Sequence, residues 1–418
     1  MTCPSVLAAG HLLQLPDEIL LEILKLVTPE DLSRVKQVCW RLRSIVLNYT
    51  VRLDHNAFLK DTSVSSISGF ADLILQCPRL KVLSLIHQPE GGVGVPVCFM
   101  ERLMRCGKRR AQFAKQLAAS CPVIRVFEVA SLPTLRLVRD YVRSLKQTSA
   151  LTEIRLYSCN SIQVRILMLA IARVSPCLRI FKFLRRAPAA PLPPGDTGYA
   201  HLWDQLAPRL TGFSTNVSDR SILTPALTRL TGLRRLVVWF LVSEEIDLLT
   251  RHATQLHSLI LMSADVAGFR FLVRLQHLTD LTFSLAREQR DSQEVAAFAD
   301  DFDSVFRVVG RRLQRASFDL RNASSGACLA SLAHCHQLRE LKLRGLTDAS
   351  VVLHALLGLR SLRSVVWKDE TGTHTDISNH SIQKLFKSCP SLAKFVLNEV
   401  MYTRRRQECD SKPAHSPA

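Results

Sequence analysis

The sequence predicts an α/β repeat architecture, with parallel strands lining a concave face and helices covering the convex face, preceded by a small three-helix module. Three observations carry this. A short pattern, Leu-x-x-Leu-x-Leu, recurs from about residue 80 to almost residue 400. Most of its copies are spaced near the ~20 to 29 residues of a repeat in which one short strand and one helix make each turn. The first fifty residues lack the pattern and place their apolar side chains at helical period instead.

The first helix is predicted from about Asp17 to Leu26, because Leu20, Ile23, Leu24 and Val27 recur at helical spacing with Glu18, Glu22 and Lys25 between them. Asp17 and Glu18 at its start favour the helix dipole. Thr28, Pro29, Glu30 and Asp31 read as a second start: a threonine cap, proline at the first helical position, and a carboxylate three residues beyond the cap. Leu32, Val35 and Val38 supply its apolar stripe. A third helix follows to Leu47, carrying Leu42, Ile45 and Val46. About fifty residues bury little core alone, so part of this surface should face the next domain or a partner. From the residues alone, a helical cap on the following domain fits equally well.

The run Leu15-Pro16-Asp17-Glu18-Ile19-Leu20, the Pro29-Glu30-Asp31-Leu32 start and the Val38-Cys39-Trp40-Arg41-Leu42 segment resemble an F-box in order and spacing across residues 15 to 46. Trp40 stands where a polar or basic residue is common in that family, and Leu42 where many members carry their tryptophan. Both positions keep an apolar anchor. The resemblance implies docking on a Skp-type adaptor, and through it on cullin and RING subunits. It carries the adaptor-binding role onto Leu15, Pro16, Ile19, Leu20, Ile23, Leu24, Leu32 and Val38.

Residues 49 to 402 are predicted to form a leucine-rich-repeat solenoid of about a dozen irregular repeats. Clear copies start at Leu80, Leu151, Leu178, Leu233, Leu256, Leu278, Leu338, Leu362 and Leu392; weaker ones start at Ile124, Leu210 and Leu313. Thr50 to Leu53 reads as a capping strand. Each unit exposes an apolar face that only its neighbours cover, so stacking lets the core grow with chain length. Ala71 to Gln76, Ala111 to Ala119 and Ser381 to Ser388 are predicted helices of the convex side. Three interruptions near 88–97, 187–198 and 287–303 read as insertions: the first two are loops rich in Gly or Pro, the third a loop or a longer helix. The stretch from Thr403 to Ala418 reads as a disordered tail.

The 12 cysteines are scattered, and Cys77, Cys121 and Cys389 share one place in the repeat, just before a proline at the end of a helix, which suggests small buried side chains. No Cys-x-x-Cys pair occurs, and His334, Cys335 and His336 lie too close together to make a zinc site without distant partners. No metal, cofactor or catalytic residue is predicted; no phosphate loop, nucleophile elbow or metalloprotease motif is present. Ala8 to Leu13 is short for a secretory signal, and apolar runs such as Leu236 to Val242 fall far below the ~20 residues that span a bilayer. A soluble protein of the cytoplasm or nucleus is expected, with no membrane partner.

Lys and Arg total 55 against 36 Asp and Glu, a formal charge of +19. Between Glu101 and Ala190, 18 Lys and Arg stand against four carboxylates, a net of +14. Strand alternation places Arg155 and Lys182 on the concave face, where they are candidate contacts for an acidic or phosphorylated segment. A solvated convex face is the simpler account of this cluster. By the same alternation Val237, Trp239, Ile260 and Met262 form an apolar concave patch, a candidate protein contact, unless a register slip of one residue turns them inward. Further along, Arg315, Asp319, Glu340, Lys342, Arg344 and Lys368 make a mixed-charge set on the same face.

The family resemblance implies a non-catalytic substrate adaptor of an SCF-type ubiquitin ligase, whose repeats hold an unidentified protein for ubiquitination. The alternative is a repeat scaffold or nucleic-acid-binding protein outside the ubiquitin system. The charge favours that alternative, and the lack of a recognisable reading module or aromatic stacking set disfavours nucleic acid.

Overall fold

A computed structural model describes residues 15–16, 19–20, 23, 45, 52–54, 71, 74–86, 105–145, 150–157, 162–184, 198–216, 220–285, 292–320, 325–345, 349–368 and 377–404. The chain divides into two compact units, Met1–Ala189 and Ala190–Ala418, at a boundary inside the proline-rich stretch expected as an insertion.

In the first unit, strands β1 (Arg52–Asp54), β2 (Val82–Leu85), β3 (Val126–Val129), β4 (Glu153–Tyr157) and β5 (Ile180–Leu184) pair in sequence order, all parallel. Helices α1 (Gly107–Ser120), α2 (Leu132–Ser144) and α3 (Ile162–Val174) make the returns. The register aligns equivalent pattern positions: Leu83 with Phe127, Phe127 with Ile154, and Ile154 with Phe181. Leu80, Leu83 and Leu85 are buried, as are their counterparts in the following turns. β1 pairs Leu53 with Leu83, so Arg52–Asp54 starts the sheet where a capping strand is expected over Thr50 to Leu53, of which Thr50 and Val51 lie outside the described residues.

α2 begins where Ser131 makes a capping box with Thr134: the Ser131 hydroxyl accepts from the Thr134 N–H, and the Thr134 hydroxyl accepts from the Ser131 N–H at 3.2 Å. Cys121 closes α1. Its buried thiol donates to the carbonyls of Ile74 and Cys77 at 3.2 Å, and its own carbonyl accepts from Tyr141 at 2.8 Å. Burial pushes the Cys121 thiol up to about 12. Cys77 and Cys389 are also fully buried, which explains why a small side chain recurs at this point of the repeat.

The second unit runs through α4 (Gly198–Leu206), β6 (Gly212–Thr215), α5 (Arg220–Leu227), β7 (Arg235–Leu241), α6 (Ser243–His252) and β8 (Ser258–Ala264). A 3-10 stretch, Val266–Arg274, then leads to β9 (Asp280–Leu285), α7 (Ser292–Val309), β10 (Arg315–Asp319), α8 (Ser325–Ala330) and β11 (Glu340–Arg344). The unit closes with α9 (Ala349–Leu357), β12 (Ser364–Lys368), α10 (Asn379–Ser388), β13 (Lys394–Leu397) and β14 (Val400–Thr403). β6 to β13 are parallel and in sequence order.

The stretch Arg287 to Asp303 enters helix α7, where Phe298, Phe302 and Phe306 recur every four residues and are buried against Phe269, Phe283 and Phe318. At its other end the sheet closes in an antiparallel hairpin, with Leu397 opposite Val400 and Lys394 opposite Thr403. Asn398 and Glu399 both take positive φ, 44° and 74°, as a two-residue turn of this twist requires. Thr403, the first residue of the expected tail, is therefore in a strand. Arg404 donates to the carbonyls of Phe386 and Cys389 at the end of α10, where a cation complements the helix dipole. The hairpin covers the edge of β13, which would otherwise offer unpaired backbone groups. Residues 88–97 and 405–418 lie outside the described residues.

Candidate functional site

In the second unit, the leucines of each pattern copy point toward the helices and the residues between them toward the open face of the sheet. Leu236 and Val238 are fully buried, whereas Trp239 is 55% exposed. That settles the register: Val237, Trp239, Ile260 and Met262 all lie on the open face, Val237 and Ile260 half-buried and Met262 exposed. Sequence reading missed Phe240, which is also exposed. Two residues rather than one separate the buried Val238 from the buried Leu241, as they separate Leu261 from Ala264, and the pairing of β8 with β9 shifts there. This bulge-like irregularity lets two consecutive aromatic residues face solvent.

The apolar patch forms one end of a trough of about 1130 Å³. Across it, β9 and β10 present Thr282, Ser284, Ser317 and Asp319, and β11 and β12 present Glu340, Lys342, Arg344 and Lys368. Four strand steps at about 4.8 Å put this mixed-charge end roughly 19 Å from Trp239. Arg315 pairs with Asp280 on the neighbouring strand, and that carboxylate holds the guanidinium above its ordinary value. The trough thus offers a ligand an apolar anchor, hydroxyls and then groups of both charges.

The open face of the first unit is different. Glu128, with a side chain only 4% exposed, takes an ion pair from Arg52 at 3.3 Å and another from Arg155. Glu153 accepts from Arg155 at 2.6 Å and from Lys182 at 2.9 Å. Arg155 and Lys182 therefore stand on the expected face but neutralise carboxylates supplied by β3 and β4. An acidic ligand would compete with Glu128 and Glu153 for them.

Burial would raise the Glu153 carboxyl, but hydrogen bonds and charge from Arg155 and Lys182 outweigh it and hold the carboxyl below its ordinary value. Its stabilisation is accordingly complete at neutral pH and drains as pH falls through the depressed value, below the usual carboxylate range of about 4. Thermal unfolding of Glu153→Gln measured at pH 7 and at pH 3.5 should show a smaller acid-induced drop in Tm than the wild type. An equal drop in both proteins would remove Glu153 from the network's energetics.

At the N-terminal segment, Ile19, Leu20, Ile23 and Ile45 are helical, and the N–H groups of Ile19 and Leu20 both donate to the Pro16 carbonyl at 3.1 Å. Leu20 is 1% exposed, while Ile19 and Ile23, one helical turn apart, are 48% and 36% exposed. Leu15 is half-buried and Pro16 exposed. Leu24, Leu32 and Val38 lie outside the described residues, as do Trp40 and Leu42.

Among the described residues no three His, Cys, Asp or Glu side chains converge as metal ligands. Cys335 is buried, its thiol pushed up to about 12, and His334 approaches Asp303 at 3.5 Å. No described helix is long and apolar enough to cross a membrane.

Residues 12–53 match the F-box-like family model. No curated protein sequence matches the chain. Among solved structures, it is similar to a chain in the crystal structure of the Rad7 and Elc1 complex in yeast, with a TM-score of 0.50 and 13% identity over 97% of this chain and 96% of that one. It also matches a chain of the TLR13–ssRNA13 complex, with a TM-score of 0.43 and 13% identity over 79% of this chain and 47% of that one. The first likeness is one of fold, and it spans nearly the full length of both chains.

Proposed function

We propose that this chain is a substrate-recognition subunit of an SCF-type ubiquitin ligase. Its N-terminal segment binds a Skp-type adaptor, which links it to cullin and RING subunits, and the open face of its repeats holds a target protein. The observation that carries this reading is the F-box-like match over residues 12–53, in a segment where Ile19 and Ile23 stay exposed beside a buried Leu20. Exposed aliphatic side chains one turn apart suit a helix that docks on a partner. The trough beside Trp239 and Met262 supports a peptide-holding role for the repeats. The chain itself performs no chemistry in this scheme. It raises the effective concentration of a target lysine near the thioester carried by another subunit.

Affinity capture from cells, comparing the intact chain with one lacking residues 1 to 50, tests the reading. The truncated chain should lose adaptor, cullin and RING subunits while retaining its target. In the intact chain, Trp239→Ala with Met262→Ala should retain the ligase subunits and lose most of the target, since aromatic anchors buried in a contact commonly contribute about 2 kcal/mol or more to it. Capture of ligase subunits by the truncated chain would sink the proposal.

A further inference from the structure

In the second unit, the residue that precedes each strand takes one equivalent place, and these residues are tied to one another in single file. The N–H of His257 donates to the Arg234 carbonyl at 2.9 Å, and Thr279 donates to His257 in the same way. Gln314, Arg339, Arg363 and Ala393 continue the chain of bonds, each to its predecessor, at 2.8 to 2.9 Å. The result is a rail along the N-terminal ends of the strands, with one rung per strand, about 4.8 Å apart.

Along the rail Arg234 is followed by His257, Thr279 and Gln314, then by Arg339, Arg363 and Ala393, so the cations of the rail and its flanks gather toward the β11 to β13 end. Arg234, Arg312, Arg339, Arg360, Arg363 and Lys394 are exposed there. Arg234, Arg339, Arg360, Arg363 and Lys394 have no carboxylate partner among the described residues, in contrast to the Arg155 and Lys182 of the first unit. The strand starts contribute two carboxylates, Asp280, already paired with Arg315, and Glu340. Unpaired cations gathered on one rim attract a polyanion from solution, and guanidinium groups bind carboxylates bidentately.

We propose that this rim docks an extended acidic segment of the target protein, alongside the trough that holds its apolar anchor. The inference rests on the reading of the repeats as a target-holding surface. Six strand steps from Arg234 to Lys394 span roughly 29 Å, which an extended segment covers with about nine residues. Cations strung along one narrow rim fit such a segment better than a folded acidic surface, whose carboxylates are spread in two dimensions. Nucleic acid fits less well, because no Phe, Tyr or Trp stands among the described residues of the rim to stack bases.

The test uses the full chain and a labelled twelve-residue oligoglutamate, with a twelve-nucleotide oligouridylate in parallel, both measured by fluorescence anisotropy. The peptide should bind, and more weakly as salt rises. Arg339→Glu with Arg363→Glu should weaken it by about tenfold or more, and the milder Arg339→Gln with Arg363→Gln by several-fold with Tm unchanged. Lys115→Glu, on the exposed side of α1, should leave it unaltered. Absence of peptide binding, an equal loss in Lys115→Glu, or tighter binding of the oligouridylate with the same sensitivity to the Arg variants would each overturn the proposal. Adaptor binding is measured on the same preparations. Its loss with peptide binding intact would count against the ligase reading alone, and the converse against the rim alone.

Discussion

Phe302→Ala unfolds the middle of the second unit. Phe302 lies in α7 with its ring parallel to that of Phe306 at 4.2 Å, parallel to Phe269 at 5.3 Å, and edge-on to Phe318 at 5.6 Å. It is 1% exposed, so truncation leaves a cavity bounded by other rings that the surrounding turns cannot close. Losses of about 3–5 kcal/mol are usual for a buried phenylalanine cut to alanine. Aromatic pairs add about 0.5–1.5 kcal/mol beyond area, which puts this site toward the upper end. A domain stable by about 5–15 kcal/mol keeps little in reserve after such a loss. Because a stacked repeat depends on its immediate neighbours, the damage should begin between β9 and β10. Chemical denaturation should show an earlier transition for Phe302→Ala, with Phe302→Leu intermediate and the exposed Trp239→Ala unchanged. A Phe302→Ala midpoint equal to the wild type would contradict the assignment of this cluster as the core of the unit.

If the N-terminal segment docks on a Skp-type adaptor as proposed, Ile19→Asp with Ile23→Asp should abolish that binding without unfolding the chain. Both side chains are exposed on the same helical face, so a carboxylate at either place costs the free protein little. In a complex that covers them, two buried and unpaired carboxylates would cost several kcal/mol, enough to remove a micromolar or nanomolar interaction. Leu20→Asp is the contrasting variant. Leu20 is buried within the protein itself, so its replacement should lower stability and lose binding only as a consequence. Thermal unfolding separates the two: Ile19→Asp with Ile23→Asp should retain the wild-type Tm, and Leu20→Asp should not.

The repeat leucines were legible because a two-residue alternation and a fixed spacing tie burial to position along the chain. Leu80 to Leu397 obey that rule, and the phenylalanines of α7 obey the helical one. Contacts set by stacking were not legible. Arg155 meets Glu128 across 27 residues and Lys182 meets Glu153 across the next strand, pairings that depend on register between turns whose lengths vary. Phe240 escaped because an irregularity in the strand breaks the alternation that ties exposure to position. The hairpin of Asn398 and Glu399 escaped because Glu is not a residue that announces positive φ. In the N-terminal segment, periodicity identified one apolar face. The separation of Leu20 from Ile19 and Ile23 required the packed structure.

Three residues of the cationic rim follow directly after the first leucine of their copy, Leu233-Arg234, Leu338-Arg339 and Leu362-Arg363, while Arg312, Arg360 and Lys394 lie within two residues of it in theirs. Spread over several repeats, they form no cluster along the chain, and only the stacking of turns brings them onto one rim. Charge counted along the chain pointed instead to residues 101 to 190, where Arg110 and Arg139 turn out to share Asp140, and Arg155 and Lys182 share Glu153.

Size-exclusion chromatography with light scattering, on the full chain mixed with a purified Skp-type adaptor, tests the central claim most directly. The account predicts a one-to-one complex that persists through the column for the wild type and is absent for Ile19→Asp with Ile23→Asp at unchanged Tm. Separate elution of the wild-type chain and the adaptor, or an equally stable complex with the double variant, would contradict it.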